Sequence, residues 1–367
     1  MNAERLGRGV AWLPPYQVVL AALGIAVGFV PGLPHLHLRS DVILAVFVPP
    51  LVFEAALNLD LRALGTVLRP VALLATVGVA VSIALVGSLA HYLLGLPWPA
   101  SLLLATILSP TDPIAVVAVV RRSAAPAELA ALLEGESLFN DGVGVAAFTV
   151  VLSGMAAGGH FTPVGLAAGF LLLTVLGGAL GAGIGLAGAA VVRRTDYVPL
   201  EVVVTVLVAY GSYITATAVG ASGVIAVVVA GVAMARVGTW GKHTERWWAR
   251  LAILLNVVLF TAIGIGLPGA SVVAAAGAVA GGFAILLASR LLLVYLPGLG
   301  IPNRWRQLLW WGGVRGALSV ALALAASERL IAGGRVPAIA YGIVAVSLLL
   351  QGTVVRPAVR LLRLNDA

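Results

Sequence analysis

Cysteine is absent from this 367-residue chain, so neither a disulfide framework nor a thiolate metal site can form. Charge is scarce as well. Only 10% of residues are Asp, Glu, Lys or Arg, against roughly a quarter in a soluble domain. With 61% hydrophobic residues and a mean hydropathy of +1.10, the chain has too little polar surface to cover itself in water. Ordinary globular domains are excluded, and most cytosolic enzymes with them. Long polar gaps are also missing, which leaves no room for a separate soluble domain between the apolar runs. What is left is an all-α polytopic membrane protein, a single membrane domain over 1–367. A net charge of +8 and a pI near 10.6 would suggest nucleic acid in a soluble protein. Here they are read as arginines gathered at one face of a lipid bilayer, with no nucleic-acid partner.

A bilayer-crossing helix needs about 20 mostly apolar residues, and apolar runs between breaks predict about twelve of them. The runs are 16–33, 40–58, 70–94, 98–120, 128–156, 163–192, 198–219, 222–238, 246–268, 271–297, 306–326 and 336–357. The first is read as a span, because Pro31-Gly32-Leu33-Pro34 makes a poor signal-peptide cleavage site. Seventeen of the 22 Lys and Arg residues fall on the side that would hold both termini, among them Arg5, Arg8, Arg62, Arg121, Arg246 and Arg363. Only three, Arg39, Arg329 and Arg335, fall on the other. The positive-inside rule then puts both termini in the cytoplasm of a cell-membrane protein. Trp12, Trp98, Trp240, Trp247, Trp248 and Trp305 sit near run ends, where interface anchors belong. His35, His37, His91, His160 and His243 are scattered near loops without metal-ligand company.

Carboxylates within apolar runs are costly, about 2.5–3.5 kcal/mol each at mid-bilayer, and each needs a reason. Those well inside the runs are Glu54, Asp112, Glu134, Glu136, Asp141 and Glu201, with Arg290 and Arg315 as basic counterparts. Glu134 and Glu201 stand near run starts and are read as structural, paired or reaching toward water. Asp112 lies in Ser109-Pro110-Thr111-Asp112-Pro113, in the middle of the fourth span. The two prolines leave the carbonyls of Thr106 and Ser109 without helical donors, and the preceding residues are pushed out of helical geometry. That break predicts free carbonyls, a hydroxyl and a carboxylate, all hard oxygen ligands for a small cation. The eleventh span carries a second break, Trp311-Gly312-Gly313-Val314-Arg315-Gly316. Interrupted helices at corresponding places in two halves point to a transporter built from inverted repeats. In the fifth span, Ser137, Asn140 and Asp141 share a helix face. Glu136 lies about 140° away from Asp141 and can address another partner.

These residues resemble the monovalent cation:proton antiporters of the NhaP and sodium–proton exchanger type. The likeness rests on Phe53-Glu54-Ala55-Ala56-Leu57, Thr111-Asp112-Pro113, Glu136-Ser137-Leu138-Phe139-Asn140-Asp141-Gly142, Ser222-Gly223-Val224-Ile225-Ala226, Ala288-Ser289-Arg290 and Gly312-Gly313-Val314-Arg315-Gly316-Ala317. The resemblance implies two crossed, unwound helices in spans four and eleven and a homodimer. It implies a transport part over about 70–156 and 271–326, a scaffold over about 16–58, 198–268 and 336–357, and 163–192 as linker. Asp141 would carry either cation or proton, next to Asn140. Ser137, Thr111, Asp112 and Glu54 would complete or order the cation site. Glu136 would pair with Arg290, and Arg315 would steady the crossing near Asp112. The chain looks one N-terminal helix short of the family's usual thirteen, as a real feature or as a truncated reading frame.

No cofactor is implied, only transported Na⁺ (or K⁺ or Li⁺) and H⁺. The expected activity is antiport, not enzyme chemistry, with Na⁺ the first choice and K⁺/H⁺ exchange the alternative. A single aspartate after Asn140, where electrogenic relatives carry two, implies one-for-one electroneutral exchange. A cation channel could use the same acids, but paired helix breaks favour alternating access. An intramembrane aspartyl protease would need Gly-x-Gly-Asp, the reverse of Asp141-Gly142-Val143-Gly144.

Overall fold

Backbone groups that cannot reach water must be satisfied within the chain, and every regular element among the described residues is accordingly a helix. The computed structural model describes residues 19–20, 22–23, 27 and 39–364, apart from 124, 157–161, 196, 238–239, 266–268, 330–334 and 363. The predicted run 16–33 lies almost wholly outside these, as do Arg5, Arg8, Trp12, His35, His37, His160 and Arg363.

The helices are α1 (Ser40–Leu57) and α2 (Leu61–Leu94), α3 (Trp98–Ile107), α4 (Ile114–Val120) and α5 (Ala127–Ala156). Next come α6 (Pro163–Val192), α7 (Val198–Ala218), α8 (Gly223–Val237) and α9 (Lys242–Ile265). The chain closes with α10 (Gly269–Ala274), α11 (Ala276–Val294), α12 (Asn303–Trp311), α13 (Ala317–Arg329) and α14 (Arg335–Leu361). Among the described residues, seven helices are long and apolar enough to cross a membrane unaided: α1, α2, α5, α6, α7, α11 and α14. The predicted spans 98–120 and 306–326 each appear as two half-helices, α3 with α4 and α12 with α13, parted where the prolines and glycines stand.

Several helix boundaries differ from the predicted runs, and two of the differences have a clear place in the structure. α2 begins at Leu61 instead of 70, because the Asp60 carboxylate accepts the backbone N–H groups of Arg62 and Ala63, each at 3.0 Å. Ala63, Leu64, Val67 and Val71 then bury one face of a turn whose other face carries Arg62 and Arg69. An average hydropathy stops at such charges, whereas a one-sided helix passes through them. The run 271–297 is offset at Ala275, between α10 and α11.

Proline also shapes α1. Pro50 has no N–H to give to the carbonyl of Val46, four residues earlier. That carbonyl lies in a wide turn over Ile43–Phe47 and accepts the hydroxyl of Tyr210 from α7 at 2.8 Å. Two of the expected interface tryptophans are buried instead: Trp248 donates its indole N–H to Thr205 Oγ1 at 2.9 Å, and Trp305 lies in the core. Trp98 and Trp247 are exposed, as anchors require.

Helix α5 is central, touching α2, α3, α6 and α8. The α14 segment, placed with the scaffold by resemblance, packs on α11 and α13, beside the second break. A closer seam joins α6 to α8. Gly177, Gly181 and Gly185 recur every four residues of α6, one small-residue stripe on one helix face. A Cβ at Gly177 would stand 2.6 Å from the Ser222 carbonyl oxygen, and one at Gly185 2.5 Å from that of Ala230. At Gly181 it would overlap the backbone of Ala226. By contrast, Gly183 has open space around it. Overpacking of this kind costs about 1–3 kcal/mol or more. Gly181→Val is therefore expected to lower the melting temperature of the purified protein by several degrees, with Gly183→Val unchanged; equal melting of the two would contradict the seam.

Candidate ion site

Two interrupted helices bring unpaired peptide groups into an apolar interior, and the site is built from the groups that answer them. At the first break, between α3 and α4, the Thr106 carbonyl accepts both the N–H and the hydroxyl of Ser109, at 3.2 and 2.9 Å. The carbonyls of Ser109 and Pro110 accept one nitrogen of the Arg315 guanidinium, at 2.8 and 2.9 Å. The Thr111 carbonyl accepts the Ser137 hydroxyl at 2.5 Å. The freed carbonyls expected to coordinate a cation are thus all engaged by donors. The arginine helps to fill them, which is also how it steadies the junction, through carbonyls and not through Asp112.

The two breaks touch directly. Asp112 N–H donates to the Val314 carbonyl at 2.7 Å, and a Cβ on Gly316 would collide with the Asp112 carboxyl. Asp112 also accepts the N–H of Ile114 at 3.1 Å, steadying the first turn of α4. At the second break, Arg315 N–H donates to the Ser347 hydroxyl at 2.9 Å. That hydroxyl donates to Gln351 Oε1 at 2.5 Å, and Gln351 Nε2 donates to the Trp311 carbonyl at 2.8 Å. Each break is held by two polar side chains on one neighbouring helix: Ser137 with Asn140 on α5, Ser347 with Gln351 on α14. Ser347 and Gln351 escaped the sequence reading, though two polar residues four apart in the run 336–357 were the available signal.

Asn140 is wholly occupied at this junction. Its amide nitrogen donates to Thr111 Oγ1 at 2.7 Å and its oxygen accepts Thr111 N–H at 3.3 Å. On the opposite side of α5, the buried Glu136 carboxylate receives both terminal nitrogens of Arg290, one of them at 2.8 Å. Arg290 Nε also donates to the Leu309 carbonyl at 3.2 Å, so one guanidinium ties α5, α11 and α12 together. Helix α5 can come so close because Gly144 stands where a Cβ would be 2.7 Å from Ser109 Oγ. Gly142 does the same toward Ile225, where a Cβ would be 2.7 Å from its side chain.

Asp141 remains. It is half-buried, no hydrogen bond reaches its carboxylate among the described residues, and it lines a cavity of about 700 Å³. Thr111, Asp112 and Ser137 line the same cavity. So does Glu54, which accepts Asn58 Nδ2, just past the end of its own helix, at 2.7 Å and is not bonded to the Asp141 group. On the same cavity, Glu134 forms a two-point ion pair with Arg121, both contacts at 2.9 Å. Glu201 is structural in a different way: it accepts Thr244 Oγ1 at 2.6 Å and Gly241 N–H at 3.2 Å, closing the start of α9. Among the described residues no group of three His, Cys, Asp or Glu could hold a metal ion.

Residues 3–361 match the family model described as sodium/hydrogen exchanger, transmembrane. The chain is 32% identical over 371 residues to the Na⁺/H⁺ antiporter ApNhaP of Aphanothece halophytica, spanning 95% of this chain and 70% of that protein. It is 34% identical over 353 residues to the Na⁺/H⁺ antiporter NhaP of Pseudomonas aeruginosa, spanning 88% of this chain and 81% of that one. The solved structure of the sodium proton antiporter MjNhaP1 from Methanocaldococcus jannaschii superposes with a TM-score of 0.78 at 19% identity, covering 95% of this chain and 93% of the other. The fold is shared at that distance.

Removing one partner of a buried ion pair costs about 3–5 kcal/mol, because the other charge is left uncompensated. Glu136→Gln should therefore lower the melting temperature markedly in detergent. Asp141→Asn, which takes away a charge without breaking a bond, should leave it unchanged or raise it. The reverse order would show that these two acids have been given each other's roles.

Proposed function

The chain belongs to the sodium/hydrogen exchanger family, transporters and not enzymes, and on that premise we propose that it exchanges Na⁺ for H⁺ across a membrane by alternating access to Asp141. The carrying observation is the contrast within α5. Glu136 is fully paired with Arg290, whereas Asp141 meets the cavity with no hydrogen-bond partner among the described residues.

A bare carboxylate away from bulk water is penalised, and either a proton or a cation removes the penalty. The two compete for one group, so each leaves when the other arrives. If the transport part moves only when Asp141 is loaded, exchange follows without a covalent step, and the cost of moving an empty charge suppresses leak. Around the ion, Thr111 and Ser137 supply hydroxyl oxygens, Asp112 orders the junction, and Glu54 lines the approach. Asn140 is an amide and does not titrate, so Asp141 is the one titrating charge of the Asn140-Asp141 pair. This supports one-for-one, electroneutral exchange. The names of the relatives favour sodium over potassium.

The cavity runs from Asn58, Arg121, Glu134 and Arg246 to Asp141, and those arginines belong to the strongly basic side of the chain. By the positive-inside rule this is the cytoplasm, where we place both termini, in the cell membrane. At the far end, the N–H and hydroxyl of Ser40 on α1 both donate to the Glu328 carboxylate on α13, the first at 3.0 Å. That contact supports an inward-open conformer closed on the outside. The moving part comprises about 70–156 and 271–326, to which α14 is joined by its packing. The scaffold comprises about 16–58 and 198–268 and makes the homodimer, with α6 as the linker.

In proteoliposomes monitored with a pH-sensitive dye, Asp141→Asn should abolish cation-dependent proton movement; full transport by this variant would sink the assignment. An imposed membrane potential should leave the wild-type rate unchanged, and a clear dependence on voltage would rule out electroneutral exchange.

A further inference from the structure

A dehydrated cation needs a shell of oxygens in place of its water, and the wall that carries Asp141 is short of them. Asn140 and the freed carbonyls are engaged in holding the break, which leaves the hydroxyl oxygens of Thr111 and Ser137 as its neutral contribution. Glu54 would supply oxygen only together with a second negative charge.

Two neutral side chains on the same cavity are so far without a role. Asn256 stands in Leu251-Ala252-Ile253-Leu254-Leu255-Asn256-Val257-Val258-Leu259, an otherwise apolar stretch of α9. It is 6% exposed. Its amide nitrogen donates to the Ala252 carbonyl on its own helix at 2.9 Å, and its oxygen accepts no hydrogen bond among the described residues. Ser319, in the first turn of α13, is fully buried, and its hydroxyl has no hydrogen-bond partner among the described residues. Both residues line the cavity together with Asp141, and α9 packs on α13.

An uncharged polar group buried in an apolar wall costs free energy unless something uses it. We propose that Asn256 and Ser319 form a second, neutral oxygen set that completes the shell of the cation held at Asp141 and discriminates among alkali cations. The inference rests on the reading of Asp141 as the ion-carrying group. Neutral oxygens add coordination without changing the charge balance of the exchange. Because they come from α9 on one side and α13 on the other, their spacing is fixed by helix packing and favours one ionic size over another.

The test is cation-dependent proton flux in proteoliposomes of the full chain, titrated separately with Li⁺, Na⁺ and K⁺ at one pH. Asn256→Leu and Ser319→Ala should each raise the half-saturating Na⁺ concentration about tenfold and narrow the preference for Na⁺ over K⁺. Maximal rates should stay within about twofold of wild type, the pattern of lost ion binding. Ser319→Thr, which keeps the hydroxyl, should behave as wild type. Unchanged half-saturation and cation preference would overturn the inference. So would an equal loss of rate for every cation, with Ser319→Thr no better than Ser319→Ala. If Asn256→Leu fails to fold by size-exclusion chromatography, the Ser319 pair decides. Asp141→Asn is measured alongside: transport by it overturns the underlying site, whereas a dead Asp141→Asn with normal Asn256→Leu and Ser319→Ala overturns this inference alone.

Discussion

The structure depends on one requirement, that the peptide groups of two interrupted helices be satisfied where there is no water to do it. Prolines at 110 and 113 and glycines at 312, 313 and 316 prevent continuous helices. The exposed N–H and carbonyl groups are then met by Arg315, Ser137, Asn140, Ser347 and Gln351, and by the direct bond from Asp112 N–H to the Val314 carbonyl. A half-satisfied network of this kind would cost more than an apolar core. The neighbouring helices must therefore approach closely, and Gly142, Gly144 and Gly316 stand where any side chain would collide.

From that requirement the chemistry follows. Once the polar groups near the breaks are committed to the backbone, and Glu136 is committed to Arg290, Asp141 is left as a carboxylate on the cavity without a hydrogen bond among the described residues. It is a site made by exhausting the alternatives around it. Arg315 contributes twice, by filling the Ser109 and Pro110 carbonyls of the first break and by tying the second break to Ser347. On the proposed reading, stability and transport draw on different acids of the same helix: Glu136 is bound to Arg290, and Asp141 is the group proposed to exchange.

Much of this was legible in the residues. The breaks appeared where Pro110, Pro113 and the glycines at 312–316 stand, because those residues act locally, on their own turn. The separation of Glu136 from Asp141 follows from helical period alone. The motifs shared with the exchanger family gave the Glu136–Arg290 pairing. Less legible was whatever depends on which helix lies next to which. The freed carbonyls are engaged and not bare, because Arg315 reaches them across more than 200 positions of sequence. Ser347 and Gln351 meet the second break only because α14 packs beside it. Trp248 and Trp305 are near run ends yet buried, since proximity to an end does not fix the direction a side chain faces. The start of α2 was hidden because averaging over Arg62 and Arg69 conceals the buried face that carries the helix through them.

The most direct test of the central claim is the number of protons released when a cation binds. Isothermal titration of the purified protein with Na⁺, in two buffers of different ionisation enthalpy, measures it without any transport step. If proton and cation exclude one another at Asp141, about one proton should leave for each Na⁺ bound near the midpoint of titration, and Asp141→Asn should lose both the binding heat and the release. Sodium binding without proton release, or release that survives in Asp141→Asn, would contradict the account.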